Sequence, residues 1–265
     1  MRAVAACRLI ITADDLGVGP HVDRAVFAAA DAGVVRCASV LVNGASVQEA
    51  ALGVQLRPDL SVGLHLAFVQ ARAVSPAGTL GRLTQSEDLP ADVFQMMLRR
   101  PGVDDLLREA EAQLLRFQAL FGAKPGFVNT HQHAQVWPPA LAAMVTLCQR
   151  HGIRRVRLSA ERQPFRMSSR PRAWLWPVAT AVALLGRRSF LRAGLKFPDR
   201  MLGGPESGGL TQESLLELVQ SLPQGTTELV VHPVEGGAEL AALLDPALIR
   251  CLDGAGVERI AFRDL

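Results

Sequence analysis

The chain has 265 residues, of which 49% are hydrophobic, 20% charged and 5% aromatic, with a net charge of +3. That length and apolar content exclude a disordered or fibrous chain and suffice for one substantial core. A balance of 28 basic against 25 acidic residues points by itself neither to nucleic acid nor to a membrane surface.

Short β-branched runs alternate with helical patterns along the chain. Arg8–Thr12 predicts a buried strand, followed by a helix over 22–31 that stops at Gly33. Ala38–Val42 predicts a second strand, Ser46–Leu56 a helix ended by Pro58, and Ser61–Leu66 a third strand. From Ala67 to Gly102 the rhythm breaks, with Pro76, Pro90 and Pro101 and little periodicity. A loop this long in a compact domain is usually a lid or substrate loop. Phe127–Thr130 predicts a fourth strand, 139–150 a helix and Ile153–Leu158 a fifth strand. A second break, over 161–209, holds the longest apolar run, Ala173–Gly186, which Pro177 interrupts and which is too short to span a bilayer. Glu228–His232 and Arg259–Phe262 predict the last strands.

Seven or eight strands interleaved with helices predict an α/β fold. The reading preferred over a doubly wound sheet is an irregular (β/α) barrel, TIM-barrel-like, with residues 1–265 as a single domain and a long loop after the third strand. The four cysteines (Cys7, Cys37, Cys148, Cys251) have no C-x-x-C spacing, and the first residues do not resemble a cleavable leader. Both features predict a cytoplasmic protein without disulfides.

The conspicuous polar residues fall at the predicted strand ends. Asp14 and Asp15 follow the first strand, His65 closes the third, His131 and His133 follow the fourth, and His232 closes the strand near residue 230. Each alone reads as a structural hydrogen-bonding residue, but four strands delivering Asp or His to one barrel face predict a functional site there. Two adjacent carboxylates in one pocket repel, unless a divalent cation binds one and leaves the other free as a base. Gly17 permits the turn that this requires; the alternative is an Asp-rich turn that caps a helix. In extended chain His131 and His133 face the same side, so either could ligate while the other contacts substrate. One carboxylate and two imidazoles with open positions form a metal site suited to hydrolysis, with zinc, iron, manganese and magnesium all compatible.

The motifs Thr12-Ala13-Asp14-Asp15-Leu16-Gly17, Gly63-Leu64-His65-Leu66, Asn129-Thr130-His131-Gln132-His133 and His232-Pro233 occur in that order over residues 8 to about 237. This combination resembles the YdjC-like carbohydrate deacetylase family, and within it is similar to the chitooligosaccharide deacetylases and the hopanoid-associated members. The resemblance implies an irregular barrel that hydrolyses the N-acetyl group of an amino sugar and releases acetate. It implies one divalent metal ion, magnesium or zinc, on Asp15, His65 and His131, with Asp14 as general base and His232 as general acid. His133 and Asn129 would contact substrate. Three positions depart from the pattern: Gln135 stands where a third histidine is frequent, Val234 where glycine is common, and Leu16 in place of the usual Phe. Two other classes stay open, a metal phosphoesterase on a similar barrel and a non-catalytic sugar- or lipid-binding relative. The first should bring a larger Asp/His set for two metals, and the second has no reason to keep Asp14, Asp15, His65, His131 and His232 together.

Between Arg150 and Lys196 stand twelve basic residues and one acid, Glu161, a local charge of about +11 that leaves about −8 on the rest. With Trp174, Leu175 and Trp176 beside them, the segment 171–196 suits peripheral contact with the inner membrane face or a lipid-linked substrate. The plainer alternative is an outer helix with a solvated rim. Pro171, Pro177 and the Arg187-Arg188 pair are predicted to bound its helix. The partner is then an N-acetylated sugar, free or lipid-linked, with no nucleic acid; a homodimer is left open.

Overall fold

The computed structural model describes residues 7–161, 176–204 and 206–265. Among the described residues, seven strands form one parallel sheet: β1 (Cys7–Leu16), β2 (Cys37–Val40), β3 (Ser61–Leu66), β4 (Val128–Thr130), β5 (Arg200–Leu202), β6 (Gly225–Val231) and β7 (Glu258–Arg259). Their order is β4-β3-β2-β1-β6-β5, and β7 pairs with the start of β1. Leu9, Ile10, Ile11 and Ala13 are buried on both faces of β1, the pattern of a strand covered on either side. Helices α1 (Pro20–Asp31), α2 (Val47–Gln55), α3 (Val93–Arg99), α4 (Val103–Phe121), α5 (Pro138–His151), α6 (Trp176–Arg192), α7 (Gln212–Gln220), α8 (Ala238–Leu243) and α9 (Pro246–Gly254) connect the strands.

The two sheet edges meet across residues 153–161. This segment forms no continuous strand, in contrast to the sequence expectation for Ile153–Leu158. It joins its neighbours through isolated parallel bridges, Val156 to Val128, Arg155 to Lys196 and Glu161 to Met201. These bridges curl the sheet into an irregular barrel. Phe127 stacks on Phe262 at 4.1 Å between centroids and, with Ile10, Cys37 and Ile260, plugs the end where the strands begin. Gly63 permits this plug, because a Cβ there would stand 2.5 Å from the Phe127 ring. The opposite end, where the strands finish, is left to polar residues.

Three further differences from the sequence reading concern this open end. β1 continues past Thr12 to Leu16, which puts both aspartates at the strand's own terminus. Residues 103–121, to which the sequence reading assigns no element, form α4, the longest helix among the described residues. The segment 67–102 contains α3 and a bridge between Arg72 and Asp88, and α4 pins its first part down. Gln113 of α4 receives Ala67 N–H (2.9 Å) and donates to Ala67 O (2.7 Å), while the Glu109 carboxylate receives Val74 N–H (2.9 Å) and Ser75 N–H (3.0 Å). Both side chains are fully buried, and they satisfy loop backbone groups that would otherwise be stranded in the core.

In the basic segment, α6 runs through Arg187 and Arg188 to Arg192, so that pair does not end the helix. Pro171, Trp174 and Leu175 lie outside the described residues. No helix among the described residues is long and apolar enough to cross a membrane.

Glu161 sits at the seam, its Oε2 receiving Gly204 N–H at 3.2 Å. Burial pushes its carboxyl up to about 7, against the lowering effect of the Gly204 and Gly203 N–H groups. A carboxyl whose pKa is raised on folding contributes stability at low pH and loses it as pH rises through the folded value. Thermal unfolding should therefore show the wild type losing stability relative to Glu161→Gln between about pH 5 and 8. Parallel pH profiles for the two proteins would contradict this.

Candidate active site and metal centre

The site begins at the end of β1. Successive residues of an extended strand point to opposite faces, so Asp14 and Asp15 can reach one pocket only if the backbone turns between them. Register against β2 shifts between Ala13 and Leu16, and Asp15 adopts φ 67, a left-handed conformation uncommon outside glycine. A staple holds this turn. Asp23 of α1 receives Gly17 N–H at 2.6 Å on one oxygen and the Ser46 hydroxyl at 2.5 Å on the other. Ser46 N–H in turn donates to Gly17 O at 3.0 Å.

Asp14 points into the barrel and is buried. Ser39 donates to its Oδ1 at 2.7 Å, Asn129 Nδ2 at 3.2 Å and Arg157 Nη2 at 2.9 Å. Arg157 Nη1 donates to Oδ2 at 2.5 Å, and His232 Nε2 faces that same oxygen at 3.9 Å. Burial would raise the Asp14 carboxyl, but Arg157, His65 and His232 outweigh it and hold the pKa well below the usual carboxylate range. Arg157 is itself 0% exposed and also donates to Glu228 Oε1 through Nε (3.0 Å) and Nη2 (2.8 Å). One guanidinium thus lies between two buried carboxylates, a geometry its planar fork of donors fits. Oδ1 of Asp14 is saturated by three donors, and Oδ2 is the oxygen turned toward the pocket.

Asp15 Oδ1, His65 Nε2 and His131 Nδ1 form a nearly equilateral triangle. Asp15 to His65 is 3.3 Å, Asp15 to His131 is 3.1 Å, and His131 to His65 is 3.3 Å. His65 Nδ1 is 2.8 Å from Asn129 Oδ1; with the proton there, the Nε2 lone pair faces Asp15. Asp15 Oδ1 is buried, and among the described residues no donor meets it in hydrogen-bonding geometry. Although burial opposes a charge on His65, Asp14 and Asp15 outweigh it and raise its pKa, so the pocket favours positive charge. Three converging lone-pair atoms around an orphaned carboxylate oxygen fit a divalent cation, and this group could hold one.

The remaining sequence-selected residues lie around this centre. Asn129, expected to contact substrate, is fully buried, with its amide linking His65, Asp14 and Ser39 Oγ (3.2 Å). His131 and His133 do not share a side as in a strand. β4 ends at Thr130, and a 3₁₀ turn (His131–Val136) follows, in which Gln132 and His133 both have φ 51. His133 is thereby directed to Ser159 Oγ at 2.9 Å, and burial and Arg157 push its pKa down to about 3. Gln135 donates to the same Ser159 oxygen at 2.5 Å and receives the Thr130 hydroxyl. His232 has Ser207 Oγ at 2.7 Å from Nδ1 and 3.1 Å from Nε2, and its backbone N–H donates to Glu239 at 2.5 Å. The sequence motifs do not single out Ser39, Arg157 or Glu228. Arg157 counts there as part of a basic surface, although Val156 and Leu158 beside it are apolar and mark a buried run.

The model of the YdjC-like protein family matches residues 8–253. The chain belongs to the YdjC-like family. Among curated relatives of this YdjC-like protein, a carbohydrate deacetylase of Mus musculus is 33% identical over 85% of this chain and 77% of its own length. One from Geobacillus stearothermophilus is 26% identical over 96% of each chain. Of the solved structures, one from Enterococcus faecalis V583, described with cellobiose-phosphate cleavage, covers 98% of this chain and 99% of its own at TM-score 0.78 and 18% identity. The Xyl-CE4 domain of a xylanase from a Trinervitermes trinervoides hindgut metagenome covers 97% and 87% at TM-score 0.51 and 10% identity. These two structures share the fold of the YdjC-like chain.

Removing Arg157 strands two carboxylates in the barrel. Arg157→Leu should lower unfolding free energy by about 3–5 kcal/mol, read from urea denaturation. A loss below about 1 kcal/mol would mean that the guanidinium is not what compensates Asp14 and Glu228.

Proposed function

We propose that the protein is a metal-dependent hydrolase that removes the N-acetyl group of an amino sugar, with acetate and the free amine as products. The observation that carries this reading is the juxtaposition of a cation-fitting triangle (Asp15, His65, His131) with an ionised carboxylate, Asp14, that faces an imidazole, His232, across 3.9 Å. The family's deacetylase relatives support the same reaction class. A divalent cation bound to the triangle supplies Lewis acidity, which acidifies water and draws electron density from the amide carbonyl.

The residues of the chain divide the proton transfers. Asp14 Oδ2, its partner oxygen saturated, receives the proton of the attacking water, and the Arg157 clamp keeps that carboxylate in one orientation. The C–N bond then breaks as His232 delivers a proton to the departing nitrogen, which leaves poorly as an amide anion. His133 stays neutral and lines the pocket beside Ser159, where it suits contact with the sugar.

The outward face of α6 bears on the form of the sugar. Val178 (60% exposed), Ala181 and Leu185 (69% exposed) share it with Arg188 and Arg192, and α6 packs against the turn that carries His131. An apolar stripe that continues into arginines suits an anionic lipid surface, which supports a lipid-linked form of the substrate. Co-sedimentation with phosphatidylglycerol vesicles at low salt should retain the wild type and release Leu185→Glu. Equal recovery of both in the supernatant would remove this part of the reading.

The reaction itself is tested by acetate release from a panel of N-acetyl amino sugars. Chelation should abolish release and added Zn²⁺ or Mg²⁺ restore it, and Asp14→Asn should lower kcat by roughly 100-fold or more. Chelator-insensitive release, or wild-type rates in Asp14→Asn, would overturn the assignment.

A further inference from the structure

We propose that Gln70 is a positioning residue for the cation site. Its side-chain carbonyl selects the nitrogen that His131 turns inward, and Glu109 and Gln113 of α4 fix where that carbonyl sits. The proposal rests on the reading that Asp15, His65 and His131 hold a divalent cation.

A neutral imidazole has one N–H and one lone pair, so whatever accepts the outer N–H decides which nitrogen can ligate. The two histidines of the triangle use opposite nitrogens, and each has its own amide carbonyl outside. His65 turns Nε2 inward with Asn129 Oδ1 at 2.8 Å from Nδ1, whereas His131 turns Nδ1 inward with Gln70 Oε1 at 3.2 Å from Nε2. Gln132 Nε2 donates to the same Gln70 oxygen at 2.7 Å, which presents the carbonyl and not the amino group to His131. Reversing the Gln70 amide would set its NH₂ against His131 Nε2, leave the proton on Nδ1 and close that nitrogen to a cation.

Asn129 is placed by a buried strand, but Gln70 is exposed, on a loop, at φ 56. Its position therefore depends on what holds the loop. Gln70 N–H donates to Pro90 O at 2.7 Å. Gln113 clamps Ala67 on the strand side, Glu109 holds Val74 and Ser75 on the far side, and Gln113 Nε2 donates to Glu109 Oε1 at 2.8 Å. The arch over residues 67–75 is thus preformed, spanned between two side chains one helical turn apart on α4.

Zn²⁺ titration of the metal-free full chain by calorimetry tests this, with thermal unfolding as the folding control. Gln70→Met, which keeps bulk and removes the acceptor, should weaken Zn²⁺ binding about 10- to 100-fold with an unchanged melting temperature. Gln70→Glu, which keeps an acceptor for the same N–H, should bind as wild type does, and Glu109→Gln should weaken binding by disturbing the arch. If Gln70→Met binds Zn²⁺ as tightly as wild type, the proposal falls while the cation reading stands. If the wild type binds no Zn²⁺ that Asp15→Asn abolishes, the cation reading falls and this proposal with it.

Discussion

Two carboxylates on consecutive residues can serve different partners only if the chain turns between them. The left-handed Asp15 at the end of β1 is that turn. It leaves Asp14 aimed inward at Arg157 and brings Asp15 to the mouth, beside His65 and His131. A non-glycine residue at positive φ costs free energy unless its surroundings over-determine it. Here Asp23 and Ser46 grip Gly17, two residues on, so α1 and the loop before α2 become parts of the site without touching its chemistry. Other features of the pocket follow from which way each aspartate faces.

Burying Asp14 creates a second constraint, because an ionised carboxylate without a partner is not tolerated inside a protein. The barrel meets it with a fully buried arginine that also holds Glu228, and the three side chains come from β1, the bridging segment 153–161 and β6. Glu228, Arg157, Asp14 and the imidazole of His232 follow one another from the barrel interior to the mouth. In the proposed reaction this arrangement keeps Asp14 ionised and fixed in orientation. It also ties the site to the irregular seam, since Arg157 lies between the bridges that Arg155 makes to Lys196 and Glu161 makes to Met201.

Much of this was legible in the sequence, and the rest was hidden for identifiable reasons. Apolar runs mark β1, β3 and β6, β-branched in β1 and β6, and the ordered Asp and His motifs at the strand ends point to the open face. Residues 103–121 receive no element in the sequence reading, although Leu106, Leu107, Ala110, Leu114 and Phe117 recur at helical spacing in α4. Nothing in that stripe, however, tells that Glu109 and Gln113 are buried to hold a loop some forty residues earlier. Arg157 is one of twelve basic residues in its stretch, and only tertiary packing separates it from those on the surface. The side-by-side placement of His131 and His133 fails for a local reason: period-2 logic holds only while the strand continues, and the strand stops at Thr130.

In the proposed function, Asp15, His65 and His131 surround a divalent cation. Anomalous diffraction at the zinc edge from a crystal of the Zn²⁺-loaded protein tests it most directly. One strong peak is expected about 2.0–2.2 Å from Asp15 Oδ1, His65 Nε2 and His131 Nδ1. A peak confined to other residues, with this triangle bare at saturating Zn²⁺, would contradict it.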